Sequence, residues 1–546
     1  MTDRQRSLIG GISVLGVAGL ICKMVGVLYR IPLANMIGGQ GLGLYQQVMP
    51  AYNLLLAVTS AGIPVAISRM VSHYVTLGEH GNARRVFRTA LKMLSILGVI
   101  TTILLFLLSR VIARQVGTPE GYLSYMCIAP SLFFVCVMSA YRGYMQGMRR
   151  MMPTAVSQLI EQVGKVAVAL PFASIGFARG GWTMGSAGAL LGTSLAECVA
   201  MFYMIIRCRF LKPPLPSPDE KPVSARSLAK QIVFISIPIT LGACIVPLAS
   251  TIDSAMLKNL MTSAGIPADD ATVRYGIYSG MVITMINVPT ALAMAMSTNL
   301  VPSIAAGKAR NDRAFIAREA GTGLRIASVV GFPCSIGMSL LSRPIIFLCY
   351  GDSPKYTFDQ LMLGGNLLEF SALTIILFTM VQATSGILQG AGKQKIPMIT
   401  LVAGVICKIA LNTILVRRPE INIHGAPIAS LTCYTVSMLP NLYFSCKYTG
   451  YRFSVGDVIL RPLGAAALMG AAVWSVYTFV FGGERCLHAS GFAARLLPVV
   501  VCMAVGAVVY LASAVLLKAV KKEDLPARFR RKAKARRLYR SLVCIR

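Results

Sequence analysis

The sequence predicts an all-α polytopic membrane protein with about 14 transmembrane helices. Three observations carry this. The chain of 546 residues is 55% hydrophobic and only 13% charged, its mean hydropathy is +0.67, and long apolar stretches recur from one end to the other. A soluble domain has about 25% charged residues. The balance therefore excludes a soluble globular protein, a disordered chain and a disulfide-stapled secreted domain.

A membrane helix needs about 20 apolar residues. Suitable runs fall at 8–35, 45–75, 90–110, 122–147, 154–176, 183–207, 230–260, 275–305, 320–342, 361–390, 396–417, 425–447, 460–481 and 494–517. The short run 345–350 cannot cross and is assigned to the interface. The polar start MTDRQR leads into the first run without a small-residue cleavage site, which reads as a retained first helix rather than a signal peptide.

The net charge of +33 would suggest nucleic acid for a soluble protein. Here it follows from the positive-inside rule, and no nucleic-acid partner is expected. With loops taken alternately, Arg84, Arg85 and Arg88, Arg149 and Arg150, Lys308, Arg310 and Arg313, and Lys393 and Lys395 share one side. That places both termini in the cytoplasm of a multi-pass cell-membrane protein. The tail at 518–546 carries twelve Lys/Arg against Glu523 and Asp524. Such a tail attracts anionic lipid headgroups.

The 14 cysteines show no CxxC and no Cys/His ligand set, so they read as small hydrophobes in a membrane core. No metal or other cofactor is implied. The four histidines are scattered, and no phosphate-cradling glycine loop is present. The chain is not expected to be an enzyme.

An internal repeat organises the chain. Residues 143–165 read GYMQGMRRMMPTAVSQLIEQVGK and residues 386–408 read GILQGAGKQKIPMITLVAGVICK. Gly143, Gln146, Gly147, Pro153 and Lys165 align with Gly386, Gln389, Gly390, Pro397 and Lys408. Both copies run the same way, which predicts two six-helix lobes related by a parallel pseudo-two-fold repeat. The expected divisions are an N-lobe at 1–207, a Pro-rich cytoplasmic linker at 208–229, a C-lobe at 230–447, two further spans within 448–517, and the basic tail. A duplicated bundle of this kind is transporter architecture.

Helices broken by Gly and Pro at matching places in two halves mark binding regions. Spans one and two carry Gly26, Pro32, Gly62 and Pro64; spans seven and eight carry Pro238, Pro247, Gly280 and Pro289. The same first two spans hold Lys23, Arg30 and Arg69. A charge at a span centre costs about 2.5–3.5 kcal/mol, so the three are expected to face water or an anion. Lys23 and Arg30 are seven residues apart and share a helix face. Asn53 and Asn287 supply polar contacts nearby. Asp253 on span seven is expected to pair a cation or bind a coupling ion, Na⁺ or H⁺ being left open. Glu161 and Lys165 form an i, i+4 pair. Lys408 is the repeat mate of Lys165 but has Gly404 where an acid would stand. Glu197 and Glu369 have no partner that the sequence can assign, and Arg142 is placed at the interface.

Four stretches carry a family resemblance: LICKMVGVLYRIPLANMIGGQGLGLYQQ at 20–47, SAGIPVAISRMVSHY at 60–74, YRGYMQGMRRMMPTAVSQLIEQ at 141–162 and GILQGAGKQKIP at 386–397. Together they resemble the stage V sporulation protein B-like branch of the multidrug/oligosaccharidyl-lipid/polysaccharide exporter superfamily, which is related to lipid II flippases. The resemblance implies a bacterial inner-membrane protein that moves polyprenyl-pyrophosphate-linked saccharides by alternating access through a basic cavity. It also implies that Lys23, Arg30 and Arg69 bind substrate. One departure stands out. Gram-negative flippases place an arginine shortly before a proline on the eighth helix, whereas Thr284, Met285, Ile286, Asn287 and Val288 precede Pro289 here. Two alternatives remain open. One is a cation-coupled multidrug exporter of the same fold, the other a membrane scaffold for cell-wall or spore-cortex synthesis.

Overall fold

The structure is a computed structural model that describes residues 3–210, 220–488 and 491–519. The central part of the linker and nearly all of the basic tail thus lie outside the described residues. Among the described residues every regular element is helical. The α-helices are α1 (Asp3–Ser60), α2 (Ile63–Thr76), α3 (His80–Gln115), α4 (Tyr122–Gly147), α5 (Met152–Gly164), α6 (Leu170–Arg209), α7 (Ala225–Ser263), α8 (Ala268–Gly276) and α9 (Ile283–Ala309). They continue as α10 (Arg313–Leu340), α11 (Ser342–Tyr350), α12 (Phe358–Ser371), α13 (Thr374–Gly390), α14 (Lys395–Leu415), α15 (Gly425–Thr449), α16 (Arg461–Ser475) and α17 (Phe492–Leu516).

Each of the fourteen apolar runs falls on one or more of these helices. Ten helical stretches among the described residues are long and apolar enough to cross a membrane, and α12 with α13, bent by 41°, makes an eleventh. Two of the ten are too long for one crossing. Met24–Thr76 has 53 residues and Met152–Arg209 has 58, each about 80 Å or more at 1.5 Å per residue against a core of about 30 Å. Both are interrupted by a kink at glycine. Gly38 in α1 has φ 70°, and Gly181 in α6 has φ 65°, a left-handed conformation that only glycine adopts without strain. The remaining run, on α15, is less apolar, and its polar side chains are used internally. Thr400 donates to Asn441 at 2.9 Å, and Ser437 donates to the Thr400 carbonyl at 3.1 Å.

The chain divides into two compact units. One comprises Met1–Val288, Cys349–Gly364 and Lys408–Ala429; the other comprises Pro289–Leu348, Gly365–Cys407 and Ser430–Arg546. In the first unit the core lies among α1, α3, α4 and α6, around Leu33, Ile37, Leu44, Tyr125, Leu132 and Leu190. In the second, one cluster joins α10 and α13 through Leu324, Ala327 and Ile387. Another joins α16 and α17 through Ala466, Met469 and Cys502.

The repeat is visible as a shared helix ending. α4 stops at Gly147 and α13 at Gly390, the second glycine of each motif. In the first copy the amide of Arg149 donates to the carbonyl of Gln146, and that of Arg150 to Met145, both at 2.9 Å. In the second, Gly392 donates to Gln389 at 2.9 Å and Lys393 to Leu388 at 2.8 Å. These are equivalent left-handed C-caps. The motif glycines also give each helix a bare face. Gly143 and Gly147 sit against Pro64, Ile67 and Val71 of α2, and Gly386 and Gly390 against Ser297, Val301 and Ile304 of α9. Small residues at i, i+4 permit such close helix approach.

Candidate functional site

The first two spans are shaped by breaks. α2 begins with Pro64 just inside its start, a position where the missing amide costs nothing. A Cβ at Gly62 would lie 2.4 Å from the Ser236 carbonyl oxygen of α7, so only glycine allows this approach. Further along α1, Gly43 meets the Thr272 carbonyl of α8, and Gly276 meets the backbone of Gly39 and Gly43. Gln46 donates to the Ser279 carbonyl at 3.2 Å. That carbonyl lies in the π-helical segment Ile277–Val282, which precedes the start of α9.

Arg30 lies on this same side of α1. Its Nη1 donates to the Thr284 hydroxyl at 3.1 Å. Among the described residues no carboxylate pairs with it. The guanidinium, with five donors, is thus half-buried and held by a neutral oxygen at a single point. Thr284 is one of the residues that stand where an arginine would precede the proline of the eighth span.

The other expected site residues are placed differently. The side chain of Lys23 lies outside the described residues. Arg69 on α2, Asn53 on α1 and Asn287 on α9 are all exposed. The structure brings Arg30 to Thr284 and records no contact that joins Arg69, Asn53 or Asn287 to it.

Two clusters of embedded charge are compensated instead. In the first, Glu161 of α5 accepts from Arg142 Nη2 at 3.2 Å and from Lys165 Nζ at 3.4 Å. Arg142 Nε also donates to Ser157 at 2.9 Å. Lys165 lies 3.9 Å from Glu197 of α6, and Tyr52 of α1 donates to both Glu197 oxygens at 3.1 and 3.0 Å. Ser131 of α4 donates to Tyr52 in turn. Two cations and two carboxylates cancel. In the second cluster, Lys408 of α14 pairs with Asp253 of α7, and Asn412 donates to the same carboxylate at 3.2 Å.

These contacts supply partners that the sequence could not assign. Arg142, expected at the interface, is 15% exposed within a four-charge network. Glu197 has a hydroxyl and an ammonium as partners, and Glu369 lies 3.5 Å from Arg343. Tertiary pairs of this kind join residues far apart in sequence, so no local spacing announces them. The i, i+4 spacing of Glu161 and Lys165 gave the one readable hint.

The polysaccharide biosynthesis protein family matches residues 8–308, and the MatE family matches residues 238–414. Lipid II flippase MurJ of Bacillus subtilis is 26% identical over 527 residues, covering 92% of this chain and 94% of its own. Stage V sporulation protein B of the same organism is 23% identical over 531 residues, covering 95% and 97%. A solved structure of lipid II flippase MurJ in an inward closed conformation superposes with a TM-score of 0.70 at 14% identity, over 92% of this chain and 98% of that one. An inward-facing multidrug resistance MATE family transporter of the MOP superfamily gives 0.66 at 14% identity, over 80% and 98%. These two likenesses show the fold, and the names are those of a lipid II flippase, a sporulation protein and a multidrug transporter. The resemblance read from the four sequence stretches is borne out. The chain is a polytopic membrane protein and belongs to the polysaccharide biosynthesis protein family.

Proposed function

We propose that this chain is a flippase for polyprenyl-pyrophosphate-linked saccharides in the bacterial cytoplasmic membrane, working by alternating access with both termini inside. One observation carries the proposal. Arg30 is embedded in the first span and answered by a hydroxyl, while Arg142, Lys165 and Lys408 each have a carboxylate. A cation kept without an acid in such a place suits an anion that comes and goes. A pyrophosphate diester carries about two negative charges, and guanidinium binds phosphate oxygens bidentately. Lys23 and Arg69 extend the same sign along the first two spans, and Asn53 and Asn287 offer hydrogen bonds to sugar hydroxyls. Occupation by the anion would favour whichever lobe arrangement brings more cation to it. The prenyl chain stays in lipid. The name of the lipid II flippase relative supports the same class of cargo.

The test is transbilayer movement of a fluorescent polyprenyl-pyrophosphate disaccharide in vesicles containing the purified protein. Arg30→Ala should slow flipping at least tenfold while the thermal midpoint holds. Wild-type flipping in Arg30→Ala refutes the assignment.

A cation-coupled multidrug exporter is the second reading, favoured by the MatE match over 238–414. Drug cations need an acidic site, and the carboxylate of span seven, Asp253, is already held by Lys408 and Asn412. Uptake of a cationic dye that depends on Asp253 would favour this second reading over the first.

A further inference from the structure

On the linker side of the first unit, α3 and the start of α7 enclose a groove of about 390 Å³. Its polar wall is Arg85, Arg88 and Lys92 of α3. These residues are spaced by three and four, so they stack on one helix face. Among the described residues none of the three has an ion-pair or hydrogen-bond partner.

The opposite wall is Val223, Ala225 and Ala229, and it is fixed in place rather than draped. Glu220 accepts from the backbone amides of Gly81, at 2.9 Å, and Asn82. The Asn82 side chain donates to the Lys221 carbonyl at 3.0 Å and accepts from the Val223 amide at 3.1 Å. Two acids stand at this corner and both are engaged by the start of α3, Glu220 by the Gly81 and Asn82 amides and Glu79 by the Asn82 side chain at 2.8 Å, so among the described residues the three cations keep no carboxylate partner.

Below Lys92 the groove turns apolar. Met93 and Ile96 line it. Ile96 is 62% exposed, and Ile100, Ile103 and Leu107 continue as exposed side chains further down α3. The polarity thus runs from three cations near the helix start to a bare hydrocarbon strip along the same helix. An anionic lipid has that polarity, and basic pockets between membrane helices hold such headgroups.

We infer that this groove is a binding site for an anionic phospholipid. The phosphodiester sits among Arg85, Arg88 and Lys92, and one acyl chain lies along Met93, Ile96 and the exposed strip of α3. The bound lipid fastens the end of the linker to α3. The site stands on the groove alone and is independent of the transport reading. A free phosphate would use the cations but not the apolar lower half.

Native mass spectrometry of the full chain in detergent, titrated with phosphatidylglycerol against phosphatidylcholine, tests it. Wild type should prefer phosphatidylglycerol. The triple substitution Arg85→Ala/Arg88→Ala/Lys92→Ala should weaken that binding roughly a hundredfold, and Arg88→Glu alone should weaken it in the same direction. Arg310→Ala/Arg313→Ala, which removes two exposed cations from another loop, should leave it within twofold. Inorganic phosphate at millimolar concentration should fail to displace the lipid. Wild-type affinity in the triple variant and in Arg88→Glu, an equal loss in the Arg310/Arg313 variant, or ready displacement by phosphate would each overturn the inference.

Discussion

Tyr52 donates its hydroxyl to both carboxylate oxygens of Glu197, at 3.1 and 3.0 Å, and so ties the second span, at the end of α1, to the sixth, in α6. Glu197 is 2% exposed, and Lys165 stands 3.9 Å away on its other side. Tyr52→Phe removes the hydroxyl and leaves the ring. It should destabilise the protein by about 1–2 kcal/mol, the range for a hydrogen bond to a buried charge within a membrane bundle. A lower thermal midpoint in detergent checks this. Glu197→Gln, which still accepts from Tyr52, should cost less than Glu197→Ala.

The Asp253–Lys408 pair makes a sharper test, because it joins opposite charges on α7 and α14. Lys408→Met takes the ammonium away from Asp253, and Asp253→Asn takes the carboxylate away from Lys408. Each single change should cost about 3–5 kcal/mol, the usual loss on breaking a buried pair from one side. The double variant should be far less unstable than the sum of the two. A double-mutant cycle on thermal or denaturant unfolding measures that coupling.

The motif glycines should resist any side chain. A Cβ at Gly147 would lie 2.6 Å from the Val71 Cβ, and one at Gly390 would lie 2.7 Å from both the Ile304 Cβ and the Val301 carbonyl oxygen. Gly147→Val and Gly390→Val should each destabilise by about 1–3 kcal/mol or more through overpacking. Similar losses at the two positions, read as unfolding temperature, would show that the copies carry equivalent helix contacts.

The fold was legible because membrane helices announce themselves by length and apolarity. The fourteen runs needed no tertiary information, and the G-x-x-Q-G repeat exposed itself through spacing. The glycines at 38, 180 and 181 that kink the long helices were visible only as composition, since their dihedral angles depend on the packing around them. The charge network was half legible. Glu161 and Lys165 are neighbours on one helix, whereas Arg142, Glu197 and Tyr52 come from three others. The same holds for Arg30. Its charge and depth are sequence facts, but its contact with Thr284, 254 positions away, is set by how α1 and α8 pack through bare glycines.

His424 gives a pH test outside the membrane spans. It closes a short 3₁₀ turn at Asn422–His424. Burial lowers its pKa from the ordinary 6.5, and the charge of Arg274 lowers it further. Above pH 6.5 both folded and unfolded chains hold this imidazole neutral, so it contributes no pH dependence there. Below that value the unfolded chain takes up a proton that the folded state resists, and stability falls as pH drops. The slope is at most about 1.4 kcal/mol per pH unit for one proton. The unfolding temperature of His424→Gln should lack this component between pH 6.5 and 5.

Arg149 and Gly392 occupy the same left-handed position after the two repeat helices, with φ of 61° and 77°. A non-glycine residue pays about 1–2 kcal/mol for that conformation, partly offset because glycine loses more freedom on folding. Arg149→Gly should therefore be neutral or stabilising by up to about 1 kcal/mol. Gly392→Ala should cost about 1 kcal/mol. Opposite signs at equivalent positions distinguish backbone conformation from local side-chain contacts as the cause. Unfolding temperatures of the two variants in one detergent supply the comparison.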